Sequence, residues 1–388
     1  MRAPHIAFFS FPHPPEVNPT ISIVNSLVRR GFRVSYVTSQ QFATRIAATG
    51  ATVVPCPAFN LKGIYKTEGS ELDVWRPVGE LAVETIRTVT PHFAQSRPDL
   101  VICDSLALAG LILARHWGVP SIQTTPMFAI DRLNFTTQIP DARYREDVLR
   151  FDEAAIRFMG EHDIEFDGVA FHQEGLNIHL FPQALQIPGA VFGSQYFYAG
   201  RCAAEQPHYG QWQIPDDTRL NVLITNSTTY SSGPEFFAMC IEALRGRDWH
   251  VSLSIGGLDA ALLEPLPPNF HIVRDTAHVK LLPYMDLLIC PGGIVTQAEA
   301  LYHGVPLVAV SHGFRELEWV SDNITRLGVG LHLRKADTRA DRLEEAALHA
   351  LESPAIRQNV AHMKHLIQRE PGGEETANRI EEYLASVL

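Results

Sequence analysis

Short apolar runs alternate along this chain with segments whose apolar positions recur every three or four residues. In the first half, HIAFFSF (His5 to Phe11), RVSYVTS (Arg33 to Ser39), ATVVPCP, DLVICDS (Asp99 to Ser105) and PSIQTT read as buried strands. Between the first two, NPTISIVNSLVRRG reads as a helix, with Asn18 as N-cap, Pro19 at N1 and Gly31 as the stop. A second helix, LALAGLILARHWG, precedes PSIQTT. The pattern loosens between Phe128 and Gly210, where helical material (about Asp141 to His162) and an apolar strand, NIHLFP, stand among turn formers. Alternation then restarts with NVLITNS, a helix through PEFFAMCIEALRG, HVSLSIG, FHIVRD, DLLICPGG, a helix, PLVAVS, a helix, GLHL and three closing helical segments.

Strand–helix–strand units of this kind build parallel sheets covered on both faces. The expected fold class is therefore α/β, with two doubly wound, Rossmann-like domains. The first spans 1–205, a turn-rich linker spans 206–220, and the second spans 221–388, with the last helix able to pack back on the first domain. Ligands in such sheets bind outside the carboxyl ends of the strands. Two such domains facing each other would put the active site in the cleft between them.

Composition agrees with this reading. The 388 residues are too many for one ordinary core, and 46% hydrophobic against 19% charged residues describes a packed globular protein. A formal net charge of −11 argues against nucleic acid or an anionic membrane as partner. Five scattered cysteines without a CxxC pair read as reduced thiols of a cytoplasmic protein. Neither a signal peptide nor a membrane span is legible, and no cluster suggests a metal site.

One stretch carries more chemistry than the rest. In CPGGIVTQAEALYHGVPLVAV (Cys290 to Val310) a strand ends, two glycines follow and a helix begins. Such an entrance presents bare backbone N–H groups, and these suit an anion.

The pieces HIAFFSFP with NPT, SLVRRGFRVSYVT, DLVICDSLALAG, PEFFAMCIEALRGRDWHV and PGGIVTQAEALYHGVPLVAV resemble, in order and spacing, the family 1 glycosyltransferases of GT-B type. The bacterial macrolide glycosyltransferases are the most similar branch. The resemblance covers nearly the whole chain. It implies inverting transfer of a sugar from a nucleotide diphosphate to a small acceptor. The acceptor would lie in the N-terminal domain and the donor in the C-terminal one. No bound cofactor is implied, only a UDP- or dTDP-sugar as co-substrate.

The same resemblance assigns residues. The family motif G-H-x-N-P, whose His deprotonates the acceptor, reads Pro15-Glu16-Val17-Asn18-Pro19 here. Glu16 stands at the His position, and Asp104 matches the Asp that holds that His. Two close carboxylates titrate as a pair, so a Glu raised in pKa could act as the base. His13, three residues earlier, could supply an imidazole from a different place, and Glu16 would also suit a helix N-terminus simply as an acid.

The family's donor helix, H-x-G-x-N-S-T-x-E, corresponds to Pro291 through Glu299. Gly292, Gly293 and Glu299 are kept, Thr296 stands for Ser, and the His and Asn have become Pro291 and Val295. The resemblance implies that Thr296 and Thr228 hold the diphosphate and that Glu299 accepts from the ribose hydroxyls. His278 would lie near the base, and Glu316 is the best match for the acid that grips the donor sugar. Losing the imidazole at 291 removes a leaving-group donor of about 2–4 kcal/mol, for which His312 or Arg315 could stand in.

Aromatic residues between Met127 and Tyr198 (Phe128, Phe135, Phe158, Phe166, Phe171, Tyr196, Phe197 and Tyr198) suit either a polyketide or aromatic acceptor or a plain core. Two other readings keep the fold: a repurposed enzyme with non-glycosyl chemistry, and a catalytically silent binding or auxiliary protein. A homodimer is compatible with all three.

Overall fold

The computed structural model describes residues 3–59, 75–130, 135–166, 168, 174–187, 192–200, 217–226, 233–273, 280–311, 313 and 315–388. These fall into two compact units. One holds the residues up to Gly200 and, again, Glu370–Leu388; the other holds Asp217–Arg369.

The strands of the first unit are β1 (His5–Phe9), β2 (Arg33–Thr38), β3 (Thr52–Pro55), β4 (Leu100–Asp104), β5 (Ser121–Thr125), β6 (Asn177–His179) and β7 (Tyr196–Tyr198). Its helices, in chain order, are α1 (Pro14–Val17), α2 (Thr20–Arg29), α3 (Ala43–Ala47), α4 (Trp75–Phe93), α5 (Leu108–Trp117), α6 (Phe135–Gln138) and α7 (Ala142–Gly160). The strands pair in parallel in the order β3-β2-β1-β4-β5-β6-β7. The order reverses between β1 and β4.

The second unit has β8 (Leu220–Thr225), β9 (Trp249–Ser254), β10 (Phe270–Ile272), β11 (Leu287–Cys290), β12 (Leu307–Val310) and β13 (Gly330–Leu333). Its helices are α8 (Pro234–Leu244), α9 (Ile294–His303), α10 (Arg315–Leu327), α11 (Ala340–Glu352) and α12 (Pro354–Ile367). The sheet is parallel again, in the order β10-β9-β8-β11-β12-β13, and reverses between β8 and β11. Two parallel-sheet, Rossmann-like α/β units are thus present.

The last helix, α13 (Gly372–Val387), belongs to the first unit. Its Ala377, Ile380 and Leu384 join a core with Ile23 and Leu27 of α2 and with Ile6, Phe8, Ile102 and Ile178 of the sheet. Arg30 holds Glu374 and Glu381 at 2.6 and 3.1 Å on the outside of this contact.

Three local expectations change. Asn18 is helical (φ −58°, ψ −45°) and its N–H bonds Pro14 O, so it closes α1 and does not cap α2. The helix α4 is amphipathic and adds an element that the sequence reading did not name. Tyr196–Tyr198 forms the edge strand β7, three residues long and too short to show a period.

Of the cysteines, Cys103, Cys240 and Cys290 are buried free thiols and Cys56 is half-buried; Cys202 lies outside the described residues. No described helix is long and apolar enough to cross a membrane.

Candidate active site

Both sheets carry their candidate residues where the strand order reverses, which is where open α/β sheets bind ligands. In the first unit, the chain leaves β1 and turns at His13 into α1. His13 is the N-cap residue, but its side chain makes no capping bond. Pro14 and Pro15 follow, so the first turn has fewer N–H groups to satisfy. The short helix places Glu16 one turn beyond His13, and residues three apart face each other. His13 Nδ1 lies 2.8 Å from Glu16 Oε2, with both residues buried.

Asp104 ends β4, beside the loop that leaves β1. It is 3% exposed. Its Oδ1 accepts from Leu106 N at 2.9 Å, and its Oδ2 has no hydrogen-bond partner among the described residues. Burial pushes the Asp104 carboxyl well above the usual carboxylate range, and the charge of Glu16 adds to this; the N–H groups of Leu106 and Ser105 pull the other way. His13, Glu16 and Asp104 are therefore gathered in one corner of the sheet. A small apolar cavity of about 20 Å³ lies beside them, lined by Phe9, Phe11, Val37, Leu81, Leu106 and Leu108, with Pro12 also on its wall.

The aromatic residues expected around an acceptor fare differently. Phe128, Phe135 and Phe166 are buried, and Phe128 packs edge-on against Phe181. Tyr196 and Tyr198 stack on the buried His179. Phe197 packs on the main core, Phe158 is half-buried, and Phe171 lies outside the described residues.

In the second unit, β8 ends at Thr225, which is 2% exposed and whose hydroxyl has no partner among the described residues. Beside it β11 ends and the Pro291-Gly292-Gly293 turn leads into α9. Gly292 has φ +97°, a region that favours glycine. A Cβ there would lie 2.0 Å from Ser321 Oγ, on α10. The buried Gln297 side chain fastens the turn, donating to Gly292 O at 2.7 Å and to Val320 O at 3.3 Å. Gly293 is the N-cap of α9 and offers no side chain, and a Cβ there would meet nothing within 4 Å. Among the described residues, the space beside Gly293 is therefore open. Thr296 and Glu299 are half-exposed on one face of α9, three residues apart.

Glu316 sits half-exposed in the first turn of α10. Thr228, His278 and His312 lie outside the described residues. Sequence reasoning missed Gln297 and Ser321, which shape the glycine turn. It also missed His332, which lies 2.9 Å from both Ser311, just ahead of the Glu316 segment, and Asp322 of α10. A histidine inside the apolar GLHL run was the only available signal. Among the described residues no group of His, Cys, Asp or Glu side chains is placed to hold a metal ion.

Comparison with known proteins fits this geometry. Residues 240–383 match the family described as "Erythromycin biosynthesis protein CIII-like, C-terminal domain". The demethyllactenocin mycarosyltransferase of Streptomyces fradiae is 33% identical over 99% of this chain and 87% of its own length. The crystal structure of CalG4, the calicheamicin glycosyltransferase, superposes with a TM-score of 0.78 at 28% identity over 99% of both chains. The glycotransferase of kitacinnamycin gives 0.81 at 25% identity, over 98% of this chain and 99% of that one. With sequence and architecture matched from end to end, the chain belongs to the family 1 glycosyltransferases of GT-B fold and resembles their macrolide-modifying members.

Proposed function

We propose that this enzyme transfers a sugar, with inversion, from a UDP- or dTDP-sugar to a hydroxyl of a small natural product. The observation that carries the reading is the pair of switch points. One has a buried imidazole–carboxylate cluster, and the other has a helix entrance without a side-chain cap. The first set suits deprotonation of an acceptor alcohol. The second suits the diphosphate that leaves, because the N-terminus of a helix favours negative charge. In this reading Thr296 adds a hydroxyl donor, and Glu299, one turn on, accepts from ribose hydroxyls.

The acceptor class rests on the relatives, which are named for demethyllactenocin and calicheamicin. A greasy, hydroxylated polyketide or aromatic compound belongs to that class. In the reaction, the acceptor oxygen attacks the anomeric carbon as its proton leaves toward the cluster anchored by Glu16 and Asp104. The bond from that carbon to the diphosphate breaks, and the helix entrance takes up the charge. A direct displacement of this kind inverts the anomeric carbon.

The test is transfer itself. The enzyme is incubated with UDP- and dTDP-hexoses and a panel of polyketide aglycones, and products are read by mass and by anomeric coupling in NMR. One added hexose of inverted configuration is expected. Retained configuration, or an acceptor modified without any nucleotide sugar, would overturn the reading.

A further inference from the structure

Resting on the reading of the α9 entrance as the donor site, we propose that His332 is a positioning residue of that site. It ties the end of β12 to α10 and so holds α10 against the Gly292 turn.

Two contacts make the tie. His332 lies on β13, in register with Ala309 of β12. Its Nε2 is 2.9 Å from Ser311 Oγ, just past the end of β12, and its Nδ1 is 2.9 Å from Asp322 Oδ1, on α10. The imidazole is 3% exposed, and Ser311 is fully buried. Asp322 also accepts from Arg334 at 2.6 and 2.7 Å, and Arg334 reaches Glu318, one turn earlier on α10, at 3.3 Å. An ionised carboxylate only accepts hydrogen bonds, so the ring proton lies on Nδ1 and Nε2 accepts from the Ser311 hydroxyl. Burial lowers the pKa of the imidazole, against the pull of Asp322, in keeping with a neutral ring. Serine, imidazole and carboxylate are linked here as in a nucleophile triad. The buried Ser311 hydroxyl, however, offers no face to a substrate, so the set holds elements in place.

The next residues of α10 meet the glycine turn. Ser321, the neighbour of Asp322, stands 2.0 Å from where a Cβ on Gly292 would lie. Val320 O accepts from Gln297 at 3.3 Å, and Gln297 also donates to Gly292 O at 2.7 Å. Neighbouring residues project about 100° apart around a helix. One side of α10 is therefore gripped from β13 while another presses on the turn that opens α9. The Ser321 hydroxyl is fully buried and has no hydrogen-bond partner among the described residues. Its place against Gly292 is thus set by the helix that carries it, and the tie to His332 sets the helix.

The experiment uses the full chain and two substitutions. His332→Phe keeps a ring and removes both contacts. His332→Asn puts an amide near the Nδ1 position, from which it can still donate to Asp322. In histidine-selective ¹⁵N spectra, the signals lost in His332→Phe should show a protonated Nδ1 and a bare Nε2 in the parent. In glycine-selective ¹⁵N spectra, the Gly292 and Gly293 amide signals should move in His332→Phe and return toward the parent in His332→Asn. By calorimetry, His332→Phe should weaken UDP or dTDP binding about 3–30-fold, and His332→Asn should recover most of the loss. Should His332→Phe fail to fold in a thermal melt, Asp322→Ala, at a half-exposed position, cuts the same tie and should give the same shifts and weakening. An Nε2-protonated ring would overturn the proposal. So would glycine signals and nucleotide affinity that match the parent once the tie is cut, or a loss that His332→Asn does not relieve. A parent that binds neither nucleotide would count against the donor-site reading, while the glycine and histidine spectra would still judge the tie.

Discussion

At Gly292 the backbone turns with φ +97°, and Ser321 stands where a side chain would go. Gly292→Ala should therefore cost about 1–3 kcal/mol by chemical denaturation. The double variant with Ser321→Gly should recover the steric part and leave the backbone part. Additive losses in that cycle would show that the two positions do not meet. Much of the candidate site was legible at this scale, because glycines at a helix entrance and an acid at a strand end have local physical causes. Gln297 and Ser321 were not legible. They reach the glycine turn from one turn inside α9 and from the neighbouring helix α10, and nothing in the local pattern marks a buried amide or hydroxyl as a support. The spacing of His13 and Glu16 was visible, but their bond depends on α1 being a helix, which PPEV does not announce.

Among elements, α13 shows which contacts hold the C-terminal helix to the first unit. Ile380 is fully buried, whereas Glu374 and Glu381 pair with Arg30 at the surface. Ile380→Ala should cost about 2–4 kcal/mol, and Glu374→Ala or Glu381→Ala should barely move stability. Equal losses would contradict the view that packing dominates.

Just before this helix, Glu370 lies beneath Gly200 and accepts from Ala184 N at 3.2 Å. Burial raises its carboxyl to about 7, against the pull of the N–H groups of Ala184 and Gln183. The native state therefore binds the Glu370 proton more tightly than the unfolded chain does, and stability falls as pH rises from the unfolded value toward about 7. Glu370→Gln should abolish a loss of about 2 kcal/mol between pH 5 and 8, a figure already reduced for partial solvent screening. A variant with the same pH slope as the parent would refute this.

Strands flanked by turns, such as β1, β4 and β11, were readable because a sheet buried on both faces demands continuous apolar runs. The edge strand β7 was not, since three residues show no period and its form follows from its pairing with β6.

For the whole molecule, a net charge of −11 and an anionic donor pull in opposite directions. The proposed donor site would meet this locally, at one helix entrance, with backbone N–H groups and Thr296 supplying the positive side. The order of the strands, which no local pattern encodes, brings each candidate group to a switch point. The most direct test is titration calorimetry of UDP and dTDP into the full chain, with chelator present. The account expects micromolar binding of at least one nucleotide and about a tenfold weakening in Thr296→Ala. Absence of binding up to millimolar nucleotide, or binding indifferent to Thr296, would contradict it.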